Sequence, residues 1–137
     1  MAIFADNFLG STIKSKGLIL KKKFGYGTGT GTTVTQATNR ATGVTINAVC
    51  GAITTDATSL AAEASAVFTV TNNKVEIGDV VVLSIRSGKV ALNTQVHVSA
   101  VAAGSFDITV VNNNAAAGTA ETGAIVINFA VIKAVSS

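Results

Sequence analysis

β-Branched residues dominate this chain and constrain its fold more than any other feature of the sequence. Valine (18), threonine (18) and isoleucine (11) supply 47 of the 137 residues, whereas leucine supplies only six. These side chains lose rotamer freedom on a helix but pack well on the pleated surface of a sheet. Charged residues make up 12% of the chain, against roughly 25% in typical proteins. The composition therefore predicts a strand-rich domain with little charged surface.

The positive charge of the chain is concentrated at one end. Residues 1–24 contain five lysines and one aspartate, whereas the remainder contains five basic and six acidic residues. A charge asymmetry of this kind is typical of an interaction tail. Glycines alternate with other residues over 25–31, a spacing that indicates a flexible linker rather than a phosphate-binding loop. We therefore divide the chain into an N-terminal basic and apolar arm (1–24), a Gly/Thr hinge (25–31) and a β-sandwich domain (32–137).

Strand-like segments follow the hinge and are separated by short turn clusters, which is typical of a sandwich or barrel. The alternation is cleanest where Phe106, Ile108 and Val110 share one face, which we predict to be the core face. Between two of the strands, the stretch 56–63 predicts at most a single helical turn. The predicted strands cover residues 32–37, 43–49, 51–55, 64–71, 79–87, 94–102, 105–111 and 123–134.

The last predicted strand differs from the others because it is apolar on both faces. Strands that are buried on both sides have this pattern. We therefore expect its second face to contact another subunit or the arm. The first face carries Ile125, Ile127, Phe129 and Val131, and the second carries Val126, Ala130 and Ile132.

The number of strands decides the predicted fold class. Eight strands fit an all-β, eight-stranded jelly-roll-like β-sandwich, here with an extended N-terminal arm. A seven-stranded immunoglobulin-like sandwich is the alternative, although the chain lacks the tryptophan that usually marks that fold.

Two isolated side chains are the candidates for catalysis. His97 alternates with Val96 and Val98, which places it on the outer face of its strand with no carboxylate nearby in sequence. Cys50 lies among small apolar residues, without a neighbouring cation to activate its thiol. An enzymatic function requires that the two side chains meet in space. We predict a protein without catalytic residues, enzymatic activity or cofactors.

The carboxylates of the chain are scattered and do not predict a metal site. Glu76 and Asp79 flank a turn at Gly78 and could hold a cation. A calcium ion, however, takes about six to eight oxygen ligands. The simpler interpretation is that both side chains solvate the turn, and we predict no bound metal.

One cluster combines basic and aromatic residues: Lys21, Lys22 and Lys23 stand next to Phe24 and Tyr26. Lysines bind phosphates and aromatic rings stack on bases, but three lysines bind nucleic acid weakly. We interpret the run as pairing with an acidic strip on a protein partner. We predict no nucleic-acid partner and, because no stretch of about 18 apolar residues occurs, no membrane partner.

Three stretches of the sandwich domain resemble small virion proteins of tailed bacteriophages, of the capsid decoration or cement type. The stretches are TVTQATNRATGVTIN (33–47), VSAVAAGSF (98–106) and AIVINFAVIK (124–133), and the resemblance spans roughly residues 32–134. It implies a β-sandwich, commonly trimeric, that lies on the outer surface of an icosahedral head and clamps neighbouring major capsid subunits. The arm is not part of the resemblance.

From these observations we expect a structural virion protein. Its expected partners are the major capsid protein and further copies of itself, in a homotrimer. Its expected location is the capsid surface of the virion, after synthesis in the bacterial host cytoplasm. The alternative is a tail or fibre component, or a receptor- or glycan-binding sandwich module.

The arm supplies the residues that we expect to bind the partner. Fully extended, 24 residues span about 80 Å, which is enough to reach an adjacent subunit. Large apolar side chains contribute about 1.5–3 kcal/mol each when fully buried, and lysines add charge pairing that salt weakens. The predicted partner-binding residues are Phe4, Phe8, Leu9, Ile13, Leu18, Ile19, Leu20, Lys21, Lys22, Lys23 and Phe24.

Overall fold

The computed structural model describes residues 25–134, which form a sandwich of eight β-strands without a helix. The prediction of an all-β sandwich is confirmed, and each predicted strand overlaps one observed strand. Within this part of the chain, no helix is present that could cross a membrane. The strands are β1 (Gly31–Thr35), β2 (Val44–Thr45), β3 (Cys50–Thr54), β4 (Ser65–Thr71), β5 (Val80–Ser87), β6 (Thr94–Ala102), β7 (Ser105–Asn112) and β8 (Val126–Ile132).

The strands divide into two sheets of four. Sheet A has the order β1-β3-β8-β5, and sheet B has the order β2-β4-β7-β6. Strand β1 runs parallel to β3 and β2 runs parallel to β4, whereas the other pairings are antiparallel. Jelly-roll and immunoglobulin-like sandwiches are built from antiparallel strands, so the two parallel pairs depart from both of the topologies considered above.

The core lies between the sheets and is built from the inward side chains of each strand. The predicted core face of β7 is confirmed, because Phe106, Ile108 and Val110 are all buried. Across the core, the ring of Phe106 packs against that of Phe129 on β8, with centroids 5.6 Å apart. Each such buried side chain stabilises the fold by about 1.5–3 kcal/mol.

Gly51 makes room for one of these rings. It lies directly opposite Phe129 in the β3–β8 ladder. A Cβ atom on Gly51 would lie 3.0 Å from the Phe129 ring and 3.2 Å from the methyl end of Ile46. The ring can therefore pack closely against β3 because this position has no side chain.

The prediction of a helical turn within 56–63 is wrong. Leu60 instead forms an isolated antiparallel bridge with Glu121, in which each N–H donates to the other residue's carbonyl at 2.8–2.9 Å. The side chain of Leu60 is buried, and Glu63 takes a left-handed backbone conformation with φ of 63°. Long-range backbone pairing and burial thus outweigh the local helix propensity of the alanines.

Candidate interaction surface

The outer surface of sheet A carries a contiguous group of apolar side chains, of which Ala130 is half-buried and the other three are exposed. We call this group the apolar face: Val80 and Val82 on β5, and Ala130 and Ile132 on β8. Val80 lies opposite Ile132 and Val82 opposite Ala130, so the four side chains form two adjacent rows. Val80, Val82 and Ile132 are 54%, 48% and 51% exposed. Single exposed valines are normal, whereas a contiguous group is a candidate contact surface. The second face of the last strand is therefore apolar at Ala130 and Ile132, whereas the exposed Asn128 interrupts it.

The start of the described chain turns part of this face into a groove. Gly25 and Tyr26 stand beside Val82, Ala130 and Ile132, and together with Lys133 they enclose about 470 Å³. The Tyr26 hydroxyl donates a hydrogen bond to the backbone carbonyl of Val131. The N–H of Val131 donates to Val49, just before β3 begins, so the tyrosine completes the pairing of β8 at that point. The segment predicted as a hinge leads from this contact into β1, which starts at Gly31.

Lys133, which lines the groove, forms an ion pair with two carboxylates. The ammonium of Lys133 lies 2.7 Å from an oxygen of Asp79 and 3.0 Å from one of Glu76. Hydrogen bonds from Lys133 and from the backbone N–H of Glu76 hold the pKa of Asp79 below its ordinary value, and the bond to Asp79 raises the pKa of Lys133. The two carboxylates therefore do more than solvate their turn, because the cation that they hold is a lysine of the chain itself. No group of three metal-binding side chains occurs within 25–134.

The outer surface of sheet B is mainly polar, although Val67 on β4 is 48% exposed there. The Thr69 hydroxyl donates to the Asp107 carboxylate at 2.7 Å. A β-bulge in β6 brings Ser99 next to β7, where it accepts a hydrogen bond from the Thr109 hydroxyl at 2.9 Å. His97 lies on this surface and is exposed, as predicted. These side chains satisfy one another or face solvent, and they do not form an apolar contact surface.

The two candidates for catalysis lie on different sheets. Cys50 is on β3, opposite Ala130 of the apolar face, and is half-buried with a free thiol. His97 is on the outer surface of sheet B, opposite Thr109. The outer surfaces of the two sheets of a sandwich point in opposite directions. The thiol and the imidazole therefore do not form a joint site.

Glu121 is a fully buried carboxylate that the sequence did not reveal. Its oxygens accept hydrogen bonds from the backbone N–H groups of Val90, Ala91 and Gly123 at 2.8–3.2 Å. The hydroxyl of Thr94 donates a further bond at 2.8 Å. Burial raises the pKa of Glu121, but these donors together outweigh burial and hold the pKa below its usual range. The ionised carboxylate thus ties the β5–β6 loop to the segment before β8.

Arg40 is buried on the other side of the same segment. Its guanidinium donates to the backbone carbonyls of Glu121 at 3.1 Å and Gly123 at 2.8 Å, and to the Thr55 hydroxyl at 3.2 Å. Burial lowers the pKa of Arg40, and the charges of Glu121 and Asp56 oppose this change. Every buried side-chain nitrogen and oxygen in the described part of the chain has a hydrogen-bond partner. Arg40 and Glu121 therefore have a structural role, with no free group directed at a ligand.

All of the partner-binding residues predicted in the arm lie outside the described residues, and their role stays a prediction. They are Phe4, Phe8, Leu9, Ile13, Leu18, Ile19, Leu20, Lys21, Lys22, Lys23 and Phe24. The sequence did indicate half of the apolar face, through the second face of the last strand. It missed the β5 half, because Val80, Val81 and Val82 form an unbroken valine run that hides the alternation.

Comparison of the chain with protein-family models, with curated proteins and with solved structures finds no match in any of the three. The functional argument therefore depends on the surfaces of the sandwich. Of these, the apolar face with its groove is the candidate interaction surface.

Proposed function

We propose that the chain is a structural virion protein, namely a capsid decoration or cement protein without enzymatic activity. It binds the outer surface of a phage head and joins neighbouring major capsid subunits. The observation that carries this proposal is the apolar face, on which Val80, Val82 and Ile132 are about half exposed on a rigid sheet. The resemblance of the sandwich domain to phage decoration proteins supports the same function.

The sandwich has the surface properties from which a decoration protein gains its binding free energy. Binding strength without a chemical site comes from buried apolar area and from a surface that is already ordered before binding. The apolar face lies on β5 and β8, which pair along nearly their whole length. Its side chains are therefore held in place before the partner arrives. The arm adds apolar anchors and lysines that pair with acidic groups on the capsid.

Self-association as a homotrimer is part of the proposal. Strands β5 and β6 are the edges of their sheets on the same side of the sandwich, and long edge strands attract other chains unless they are covered. Their inward side chains, including Leu83 and Val98, are only partly buried, and Leu92 in the connecting loop is 83% exposed. Closed symmetric assembly covers such a side. Light scattering at micromolar concentration should give the mass of a trimer, and the mass of a monomer would contradict it.

The fine topology also remains a proposal. Eight strands in two sheets of four are the strand count of a jelly roll. We therefore propose a jelly-roll-like topology. It differs from an antiparallel jelly roll in two strand pairs that are parallel, β1–β3 and β2–β4.

Electron microscopy of virions labelled with a gold-conjugated antibody against the chain tests the function. Label over the whole head is the expected result. Label confined to the tail would support the alternative, a tail, fibre or receptor-binding module. Absence of the chain from purified particles would contradict both.

A truncation variant then distinguishes the contribution of the arm to binding from that of the sandwich. In particles assembled without the chain, a variant lacking residues 1–24 should fold, with an unchanged circular dichroism spectrum, but occupy heads at least about tenfold less. A matched variant with Lys21, Lys22 and Lys23 replaced by serine keeps the apolar anchors. It should lose only the salt-sensitive part of binding. Unchanged occupancy of the truncated variant would show that the sandwich alone attaches the protein.

A further inference from the structure

The groove on sheet A lies where the described chain begins. Gly25 and Tyr26 line it, and the Tyr26 hydroxyl is bound to the backbone of β8. The chain that precedes Gly25 must therefore leave from the groove itself. The arm, residues 1–24, is the segment that immediately precedes Gly25.

The sequence nearest to this exit contains an apolar segment of suitable length. Leu18, Ile19 and Leu20 are three consecutive large apolar residues, separated from Gly25 by three lysines and Phe24. Five residues from Leu20 to Gly25 span at most about 16 Å. Neighbouring strands are about 4.8 Å apart, so this tether reaches across β8 and β5 of the same subunit.

The walls and floor of the groove suit such an occupant. Val82, Ala130 and Ile132 offer apolar contact, and Tyr26 adds an aromatic wall. The charge of Lys133, which also lines the groove, is balanced by Asp79 at 2.7 Å. It therefore presents little repulsion to the lysines that follow the apolar segment.

We propose that the segment Leu18–Leu20 occupies the groove of its own chain. The short tether gives the segment a high effective concentration at its own groove, which a segment from a second copy does not have. The inference does not depend on the proposed function, because it concerns the free protein. Under the proposed function, the segment leaves the groove when the apolar face binds the capsid.

Disulfide trapping in the full-length chain tests this assignment. In a Cys50→Ser background, the pairs Ile19→Cys with Val82→Cys and Ile19→Cys with Ile132→Cys place one thiol in the segment and one in the groove. Both groove positions are about half exposed, so either variant can serve if the other folds poorly. The matched control, Ile19→Cys with Thr69→Cys, places the second thiol on the outer surface of sheet B.

After mild oxidation, the groove pairs should give an intramolecular disulfide, seen as a monomer by mass spectrometry, in about tenfold higher yield than the control. Disulfide-linked dimers from these pairs, or from a mixture of the two single-cysteine variants, would show that the segment docks on a second copy. Yields equal to the control would show that the segment does not use the groove. Either result overturns the proposal.

Discussion

The two sheets of the sandwich are alike on their inner surfaces and opposite on their outer surfaces. Inside, both supply buried aromatic and β-branched residues, such as Phe106 from sheet B and Phe129 from sheet A. Outside, sheet B presents hydroxyl and carboxylate groups that bind one another, including Thr69 and Asp107. Sheet A presents the adjacent Val80, Val82 and Ile132, whereas the exposed valine of sheet B, Val67, stands among polar side chains.

The inner surfaces account for the stability of the fold, whereas the outer surfaces differ in what they are suited to contact. Burial of the inner surface is enough to stabilise the sandwich, and both sheets meet that requirement. The outer surface of sheet B is suited to water, whereas Val80, Val82 and Ile132 gain nothing from water and gain free energy when covered. The contrast therefore favours sheet A as the side on which we expect a partner to bind.

The largest expected effect is a difference in stability between substitutions on the inner and on the outer side of β8. Phe129→Ala on β8 removes a core ring that is 3% exposed, and the free energy of unfolding should fall by about 3–5 kcal/mol. Ile132→Ala, on the outer side of the same strand, should cost less than about 1 kcal/mol. Urea unfolding measures both changes. Equal losses would show that the apolar face is part of the core.

The next effect concerns the buried carboxylate. Glu121→Gln replaces an acceptor with an amide group that cannot accept all of the bonds from Val90, Ala91 and Gly123. Unpaired buried donors cost about 1–3 kcal/mol of unfolding free energy. Asp107→Asn, on the outer surface of sheet B, is the control and should change stability by less than about 0.5 kcal/mol. A neutral Glu121→Gln would contradict the structural role of Glu121.

Charge on the outer surfaces should then affect attachment rather than folding. Val82→Asp places a carboxylate on the apolar face, and Thr69→Asp places one on sheet B. Occupancy of phage heads should fall about tenfold for the first variant, equivalent to about 1.4 kcal/mol, and stay unchanged for the second. Circular dichroism should show both variants folded. A larger loss for Thr69→Asp would reverse the assignment of the two surfaces.

The smallest expected effect is the pH dependence of stability. The pKa values of Asp79 and Glu121 are lowered in the folded chain, below ordinary values of 3.8 and 4.5. Their stabilisation is therefore complete above about pH 5 and is lost as the pH falls through the folded pKa values. Thermal unfolding between pH 6 and pH 3 should show this decline, and Glu121→Gln should make it shallower. A melting temperature that rises towards pH 3 would contradict the predicted decrease in stability.

The strands and the core were predictable because both follow from local alternation. A period of two along 105–111 and 123–134 was enough to assign the inner faces and to show that the last strand has a second apolar face. The parallel pairing of β1 with β3 was not predictable, because a single sequence does not tell which strands are neighbours. Nor was the burial of Glu121, since its donors at Val90 and Ala91 are distant in the sequence and become neighbours only in the fold.

A three-dimensional reconstruction of the virion by electron cryomicroscopy tests the central claim most directly. The sandwich can be oriented in the density by the long β5–β8 and β6–β7 pairs at its two outer surfaces. We predict density for the sandwich on the head, with the outer surface of sheet A turned towards the capsid or a neighbouring subunit and that of sheet B towards solvent. A sandwich bound through the polar surface of sheet B, with Val80, Val82 and Ile132 facing solvent, would contradict the account.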